Sequence, residues 1–278
     1  MPNSSSLIVG HIAYANCEPF FHYLRESGFD GTIRDGVPAE LNRLLASGEL
    51  DLSPSSSYEY LRNWREYQLL PGMSISSIGP VLSVLLISPR PIESLHDEEI
   101  FLTGESASSI HLLQVMLREY YGFNEVLCRV PDQALEALVL QGRPALLIGD
   151  RALKVAADVP AEHIYDLGEL WYRHTGLPFV FALWIIRREA VKNQRPQVAT
   201  FQVQLERSLE TAFSDLITVA SDLDAYRWYG VEKLVNYWQS MSYELGEQQL
   251  KGLWLYAELL VKYGFLPEQP QVEFIKSL

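Results

Sequence analysis

The sequence predicts an α/β fold built as two lobes, each with a mixed or parallel sheet flanked by helices. Short apolar segments alternate with amphipathic helical segments along most of the chain, which is typical of sheets covered by helices. Two long apolar strands, 80–88 and 179–187, bracket a middle block that has its own strand and helix pattern. We therefore expect a first lobe from residues 1–85 and 185–278, a second lobe from residues 86–184, and two hinge strands between them.

The first lobe is expected to begin with a strand and a helix. "SLIVGHIAY" has the character of a buried strand, and in "NCEPFFHYL" Asn16 can cap a helix whose first turn holds Pro19. "TIRDG" is predicted to be a second strand. The next helix begins near Pro38 in "VPAELNRLLASG" and ends near Gly48, and "LDLS" follows as a third strand.

The middle block repeats the order of strand and helix. "GPVLSVLLISPRPIESL" is a long apolar strand closed by two prolines around Arg90. "EEIFLTGESASSIHLLQVMLREYYG" contains a strand, a serine-rich turn and a helix, and "EVLCRV", "QALEALVLQG" and "PALLIGD" continue as strand, helix and strand. "TGLPFVFALWIIRRE" is the second long strand. From about Gln197 the apolar spacing is helical, which predicts core packing, with one face available for a homodimer contact.

Composition narrows the classes of partner. The chain has 278 residues and a net charge of −13, which argues against nucleic acid and anionic membranes as partners but not against a small anion at helix N-termini. Cys17 and Cys128 lie far apart and are expected to be reduced thiols. The N-terminus lacks a basic n-region, and no apolar run approaches the ~20 residues of a membrane span. We expect a cytoplasmic protein without a bound metal or cofactor, since no dinucleotide fingerprint, Walker loop or metal-spaced His/Cys cluster is present.

Polar clusters recur where predicted strands end and helices begin. "SPSSSYEYL" and "AYANCEPFF" occupy such places in the first lobe, and "TGESASSIHLL" does so in the second. Each cluster follows the carboxyl end of a strand, where ligands bind in open α/β sheets, and opens a helix with unpaired N–H groups. Any one cluster is explained as a helix cap, because serine and asparagine are preferred there. Three clusters on one predicted rim favour a site that holds a small dicarboxylate.

Several motifs in register carry a family resemblance. "VPAELNRLLASGELDLSPSSSYEYL", "LLPGMSISSIGPVLSVLLIS", "FLTGESASSIHLL", "LLIGD" and "DLGELWYRHTGLPFVFALW" together resemble the chorismate dehydratases of the futalosine route to menaquinone. "GHIAYANCEPF" is similar to that family's opening, a Tyr-x-Asn followed by a proline. The resemblance spans most of residues 7–187, whereas the helical tail matches only in character.

The resemblance implies a type II periplasmic-binding-protein-like fold that works as a cytoplasmic enzyme. The implied reaction removes water from chorismate and gives 3-[(1-carboxyvinyl)oxy]benzoate. A sister enzyme of the same fold acts on cyclic dehypoxanthine futalosine and usually carries an Asn-Asp-Thr run. "AYANCEPF" lacks that run, so the dehydratase is favoured.

The implied chemistry assigns roles to the polar clusters. Loss of the ring hydroxyl and a neighbouring ring proton makes the ring aromatic, so the enzyme mainly has to orient the substrate and stabilise charge. Asn16 is the candidate catalytic residue at the reacting hydroxyl or ring. The candidate substrate-binding residues are Ser55, Ser56, Ser57, Ser83, Thr103, Ser106, Ser108, Ser109 and Asp150. We expect no dedicated histidine base, with the proton passing to a substrate carboxylate or a water; His174 and Asp150 are the next candidates if Asn16 only binds.

Two functions without catalysis stay open at this stage. The chain could be a binding protein for a small anion, such as a transporter's solute receptor, although it lacks an export signal. It could also be the ligand-binding domain of a regulator, although no helix-turn-helix module is attached.

Overall fold

The structure, a computed structural model, describes residues 6–276. The strands are β1 (Ile8–Ile12), β2 (Thr32–Gly36), β3 (Leu52–Ser56), β4 (Tyr67–Ser77), β5 (Val84–Ile87), β6 (Ile100–Leu102), β7 (Cys128–Arg129), β8 (Ala145–Ile148), β9 (Ile164–Asp166), β10 (Phe179–Arg187) and β11 (Met241–Leu245). The helices are α1 (Glu18–Phe21), α2 (Pro38–Ser47), α3 (Ser57–Arg62), α4 (Ala107–Tyr121), α5 (Leu135–Leu140), α6 (Gly149–Ala156), α7 (Leu167–Thr175), α8 (Arg188–Asn193), α9 (Arg195–Ser214), α10 (Leu216–Asp222), α11 (Val231–Ser240) and α12 (Glu247–Lys262). Short 3₁₀ turns lie at Ala15–Cys17, Ile92–Ser94, Ala161–His163 and Asp224–Tyr226.

Both sheets are mixed. One sheet has six strands in the order β11-β4-β10-β3-β1-β2, and the other has five in the order β7-β6-β8-β5-β9. In the first sheet β1 pairs in parallel with β2 and β3, whereas β10 is antiparallel to β3. In the second, β6 is parallel to β7 and β8, whereas β5 is antiparallel to β8 and β9. The predicted α/β fold with two mixed sheets flanked by helices is confirmed.

The chain forms two compact units. Unit 1 contains the described residues up to Ile75, Ala182–Gln239 and those from Pro270 onward. Unit 2 contains Ser76–Phe181 and Ser240–Gln269. The sequence assigned all of 185–278 to the first lobe, so β11 and α12 lie in a different unit from the one expected. The helical tail therefore contributes to the cores of both units.

The expected pairing of strands 80–88 and 179–187 is wrong. Residues 84–87 form β5, which lies between β8 and β9 inside unit 2. β10 lies between β4 and β3 in the other sheet. The unit boundaries at 75/76 and 181/182 fall within β4 and β10. Residues 80–88 include a long apolar run because β5, at 84–87, is a central strand that is buried on both faces. Pro71 and Gly72 lie within β4. Because these residue types are uncommon inside strands, the sequence did not show the full length of β4.

Local signals set several helix ends. Pro38 occupies the first turn of α2, and the helix ends at Gly48, whose left-handed φ of +84° favours glycine. Pro19 likewise lies in the first turn of α1. Asn16 does not cap this helix as expected: it lies inside the 3₁₀ turn, and Cys17 is the N-cap residue without a side-chain bond. The chain enters α1 through that turn, so Asn16 is not the N-cap residue of α1.

Aromatic side chains form much of each unit's core. In unit 1, Trp184 packs edge-on against Phe20 at 5.2 Å between ring centroids. In unit 2, Phe179 lies 5.3 Å from Trp171 and 4.9 Å from Tyr256, again edge-on. These five rings are fully buried. They anchor β10, which contributes residues to both units, and α12, which lies in unit 2.

Candidate functional site

In unit 1, the carboxyl ends of β1, β2 and β3 lie along one edge of the sheet. β1 and β2 are parallel and reach that edge together, with Ile12 paired to Gly36. β3 is also parallel to β1 and ends at Ser56. Asn16 follows β1 and Ser57 follows β3, so the topology brings two of the predicted clusters to the same edge. This is the edge at which ligands bind in sheets of this kind.

The turn that carries Asn16 is fixed by backbone and side-chain hydrogen bonds. The amide of Tyr14 donates to the carbonyl of Ile12 at 2.8 Å, and the amide of Cys17 donates to the carbonyl of Tyr14 at 2.9 Å. The buried indole Nε1 of Trp238 donates to the carbonyl of Ala15 at 2.7 Å. Trp238 comes from α11, far along the chain, and it fixes the position of the residue next to Asn16.

Ser55 carries a buried hydroxyl that is unsatisfied within the described part of the chain. Its side chain is fully buried, and its Oγ finds no hydrogen-bond partner within residues 6–276. Ser53, two residues earlier and so on the same face of β3, donates its hydroxyl to the carbonyl of Pro54 at 2.8 Å. A buried hydroxyl usually has a partner, so Ser55 is suited to bind a group that is not part of the chain.

Ser56 and its neighbours open α3. The Ser56 hydroxyl accepts from the amide of Glu59 at 3.3 Å, as an N-cap does, and from Nδ2 of Asn42 at 3.4 Å. Ser57 is fully buried in the first turn. Asn42 is a buried polar residue of α2 that the sequence reading missed. The only signal for it was a polar residue beside the apolar face of a predicted helix, and such residues are usually exposed.

His11 is a polar residue of β1 that contacts acidic side chains close to the Asn16 turn. It lies near the end of β1, with Nδ1 2.9 Å from Oδ1 of Asp35 and Nε2 3.8 Å from Oε1 of Glu18. Its ring packs on Phe21 at 4.2 Å between centroids. Burial lowers the pKa of His11, and the Asp35 carboxylate opposes that change. His11 connects β1, β2 and the start of α1 immediately beside the Asn16 turn.

In unit 2, three predicted residues also share one sheet edge. β6 and β8 are parallel, and β5 is antiparallel to β8 with Val84 paired to Ile148. The carboxyl ends of β6 and β8 therefore meet the amino end of β5. Ser83 precedes β5, Thr103 follows β6, and Asp150 lies in the first turn of α6 directly after β8.

Backbone contacts hold this edge together. The amide of Gly149 donates to the carbonyl of Ser83 at 2.8 Å, and the amide of Thr103 donates to the carbonyl of Leu146 at 3.2 Å. The Ser83 hydroxyl donates to the carbonyl of Val81 at 3.3 Å. The predicted residues are thus placed side by side by strand pairing.

The serine cluster of unit 2 opens α4. Ser106 is the N-cap: its hydroxyl accepts from the amide of Ser109 at 3.4 Å and lies 3.0 Å from the Ser109 hydroxyl. Ser108 and Ser109 are buried, and the carbonyl of Ser108 accepts from the hydroxyl of Tyr256 at 3.0 Å. Arg151 contacts Glu105 at 3.4 Å and so connects this turn to the start of α6.

His174 lies at the other end of α4 from the serine turn. Its ring stacks on Tyr120 at 4.5 Å between centroids, in the last turn of the helix. A helix of 15 residues is about 20 Å long at 1.5 Å per residue. His174 is therefore separated from Ser106 by the length of that helix.

Comparisons with known proteins identify relatives along nearly the whole chain. The family model described as "Menaquinone biosynthesis" matches residues 7–262. The chain is 36% identical over 270 residues to the chorismate dehydratase of Thermus thermophilus, which covers 91% of this chain and 94% of that protein. It is 29% identical over 195 residues to the chorismate dehydratase of Campylobacter jejuni, with 68% and 71% covered.

Solved structures show the same fold at low sequence identity. The alkanesulfonate-binding protein of Xanthomonas axonopodis pv. citri, bound to MOPS, matches with a TM-score of 0.72 at 16% identity, over 96% of both chains. A Candida albicans gene product with the generic periplasmic binding protein fold matches with a TM-score of 0.68 at 12% identity, over 95% of this chain and 92% of that one. The predicted periplasmic-binding-protein-like fold is confirmed. From residue 6 to residue 276, no helix combines the length and apolar character needed to cross a membrane.

Proposed function

This chain belongs to the menaquinone-biosynthesis family, and on that premise we propose that it is a chorismate dehydratase. The observation that carries the proposal is the 36% identity to the Thermus thermophilus enzyme along nearly the full length of both chains. In reaction terms we propose a hydro-lyase that removes water from chorismate to give 3-[(1-carboxyvinyl)oxy]benzoate.

The chemistry needs orientation more than it needs a strong acid or base. The C–O bond to the ring hydroxyl breaks, a neighbouring ring C–H gives up its proton, and the ring becomes aromatic. We propose that Asn16 contacts the departing hydroxyl or the ring, because the bonds from Trp238 and within residues 12–17 give it a fixed position. A preorganised donor of this kind stabilises charge in the transition state without reorganising. A carboxylate of the substrate, or a water, takes the proton.

Chorismate carries two carboxylates, and we propose that the serine clusters bind them. The unit 1 cluster is Ser55, Ser56 and Ser57. The Ser55 hydroxyl supports this role, because it is buried and finds no hydrogen-bond partner from residue 6 to residue 276. The unit 2 residues remain a prediction: they are Ser83, Thr103, Ser106, Ser108, Ser109 and Asp150. Losing one hydrogen bond to a carboxylate costs about 1.5–3 kcal/mol. Ser108→Ala should therefore raise KM more than it lowers kcat. Homodimer formation and a cytoplasmic location also stay predictions.

A non-catalytic anion receptor is the second candidate. The alkanesulfonate-binding protein has the same fold and, by its name, binds an alkanesulfonate, which is a small anion. Its identity of 16% supports the fold alone, whereas the dehydratases match at 29% and 36%.

The test is to incubate the purified protein with chorismate and follow a new aromatic chromophore, with product identified by mass. We expect a product lighter than chorismate by one water. Binding without turnover would favour the receptor, and turnover of cyclic dehypoxanthine futalosine instead would favour the sister enzyme. Asn16→Ala is the control for contaminating activity, because the same preparation should then lose most of its turnover.

A further inference from the structure

Leu82 has a backbone conformation that leucine rarely adopts. Its φ is +62°, and within residues 6–276 it is the one non-glycine residue with positive φ. A side chain with a Cβ is disfavoured in this left-handed region, where glycine, asparagine and aspartate are the usual residues. Such a residue persists only when its surroundings impose the conformation, and these residues are enriched at functional sites.

The conformation is imposed by the buried carboxylate of Asp166. Its Oδ2 accepts from the amide of Leu82 at 2.7 Å, and its Oδ1 accepts from the amide of Val81 at 3.0 Å. Oδ1 also accepts from the amides of Gly168 and Glu169 at 2.9 and 3.1 Å, which caps α7. One side chain therefore fixes the segment before β5 to the start of α7.

Close packing completes this attachment. A Cβ at Gly168 would lie 2.6 Å from Oγ of Ser77 and 2.7 Å from the carbonyl oxygen of Gly79. Only glycine permits the start of α7 to approach residues 77–81 so closely. The segment is thus fixed by contacts within unit 2 alone.

As a result, the Leu82 side chain is partly exposed next to the polar residues at the edge of the unit 2 sheet. Val81 and Ser83 are both 1% exposed, whereas Leu82 between them is 37% exposed. The carbonyl of Ser83 accepts from the amide of Gly149, the residue that follows β8. Leu82, which precedes Ser83, therefore lies beside the sheet edge that carries Thr103 and Asp150. The geometry supplies an apolar contact next to groups suited to a carboxylate.

We infer that Leu82 is a specificity-determining residue that contacts the apolar part of the substrate, and that Asp166 is the positioning residue that holds it there. The inference rests on the proposed function. The apolar surface of chorismate consists of its ring carbons and the vinyl CH₂ of its side chain, which lie next to the two carboxylates. Leu82 then contacts the apolar part of chorismate, while the neighbouring polar groups bind a carboxylate.

The test compares KM and thermal stability across variants of Leu82. Leu82→Ala should raise KM for chorismate about tenfold, as loss of apolar contact does, with kcat little changed. Leu82→Gly should raise KM similarly but unfold at a higher temperature than Leu82→Ala, because glycine adopts positive φ without strain. Leu82→Met should keep KM near that of the wild type. Leu140→Ala is the matched control, since Leu140 is 89% exposed in the same unit and should leave KM unchanged.

Asp166 is tested through its coupling to Leu82. Asp166→Asn should raise KM in the wild-type background but add little to KM in the Leu82→Gly background, where no side chain remains to be positioned. A purely structural role would give equal effects in both backgrounds. Normal KM for Leu82→Ala in a preparation whose wild type converts chorismate would overturn the inference while leaving the proposed function intact. A wild type that neither binds nor converts chorismate would overturn both.

Discussion

Replacing Ser55 by alanine should stabilise the protein and weaken its substrate binding. The Ser55 hydroxyl is fully buried and has no hydrogen-bond partner among residues 6–276. Leaving a buried polar group unsatisfied costs about 1–3 kcal/mol. Alanine removes that group with little change in volume, so the free energy of unfolding should increase by roughly 1 kcal/mol. Substrate binding should change in the opposite direction.

The size of the binding loss follows from the charge of the partner. A hydrogen bond to a charged group is worth about 1.5–3 kcal/mol. At 1.36 kcal/mol for each factor of ten, this corresponds to about a 10- to 150-fold increase in KM. The backbone of β3 is fixed by its pairing with β10, so the loss should fall mainly on KM, with kcat less affected.

The assay is a pair of measurements on two variants: urea unfolding without substrate, and steady-state turnover of chorismate. Ser53→Ala is the matched control, because Ser53 is equally buried on the same strand but its hydroxyl donates to Pro54. It should lose about 0.5–1.5 kcal/mol of stability and leave KM nearly unchanged. A Ser55→Ala protein that is less stable than wild type and has normal KM would refute the assignment of Ser55 to substrate binding.

Four other outcomes are expected. Asn16→Ala should lower kcat about 10²–10³-fold, and steady-state kinetics showing a change in KM alone would make Asn16 a binding residue. Gly252→Ala should destabilise the protein by several kcal/mol, because a Cβ would lie 2.0 Å from the carbonyl oxygen of Pro178 and typical overpacking already costs about 1–3 kcal/mol. Thermal unfolding measures this loss of stability. Burial lowers the pKa of His11, so the folded state binds this proton less tightly than the unfolded state does. Stability should therefore fall as pH drops below about 6.5. His11→Gln should flatten that part of the plot of stability against pH, and an unchanged plot would contradict the reasoning. Exhaustive chelation should leave activity intact, and activity lost and restored by one particular divalent metal would contradict this.

Much of the fold was predictable because its signals are local. Pro38 and Gly48 marked the ends of α2, and alternating apolar segments marked the strands. Ser56 and Ser106 both cap helices, as their place before helical segments suggested. The pairing of strands was not predictable in the same way, because an apolar run shows that a strand is buried without showing which strands lie beside it.

The sequence proposes site residues from polar clusters at the ends of strands, and these assignments stay predictions. It gives no sign of residues whose contacts are with distant parts of the chain. Asp166 caps α7 in "YDLGEL", and it was not among the predicted site residues. Its second role, accepting from the amide of Leu82, joins residues 84 positions apart in the chain. Asn42 likewise can be recognised as part of the unit 1 cluster only from its hydrogen bond to Ser56. No periodicity or spacing rule reports such contacts.

In each unit, one proposed substrate-binding residue departs from the local preferences of the chain. Ser55 buries a hydroxyl that has no hydrogen-bond partner among the described residues. Leu82 adopts a left-handed conformation with a partly exposed apolar side chain. Either feature alone lowers the stability of the free protein, and a simple substitution (alanine at 55, glycine at 82) would relieve it. A sequence keeps such costs where a bound ligand offsets them. This reasoning ties the two variants together: Ser55→Ala and Leu82→Gly should each unfold at higher temperature without substrate, and each should gain less stability than wild type when chorismate is added. If chorismate stabilised both variants as much as the wild type, the two departures would have a purely structural origin.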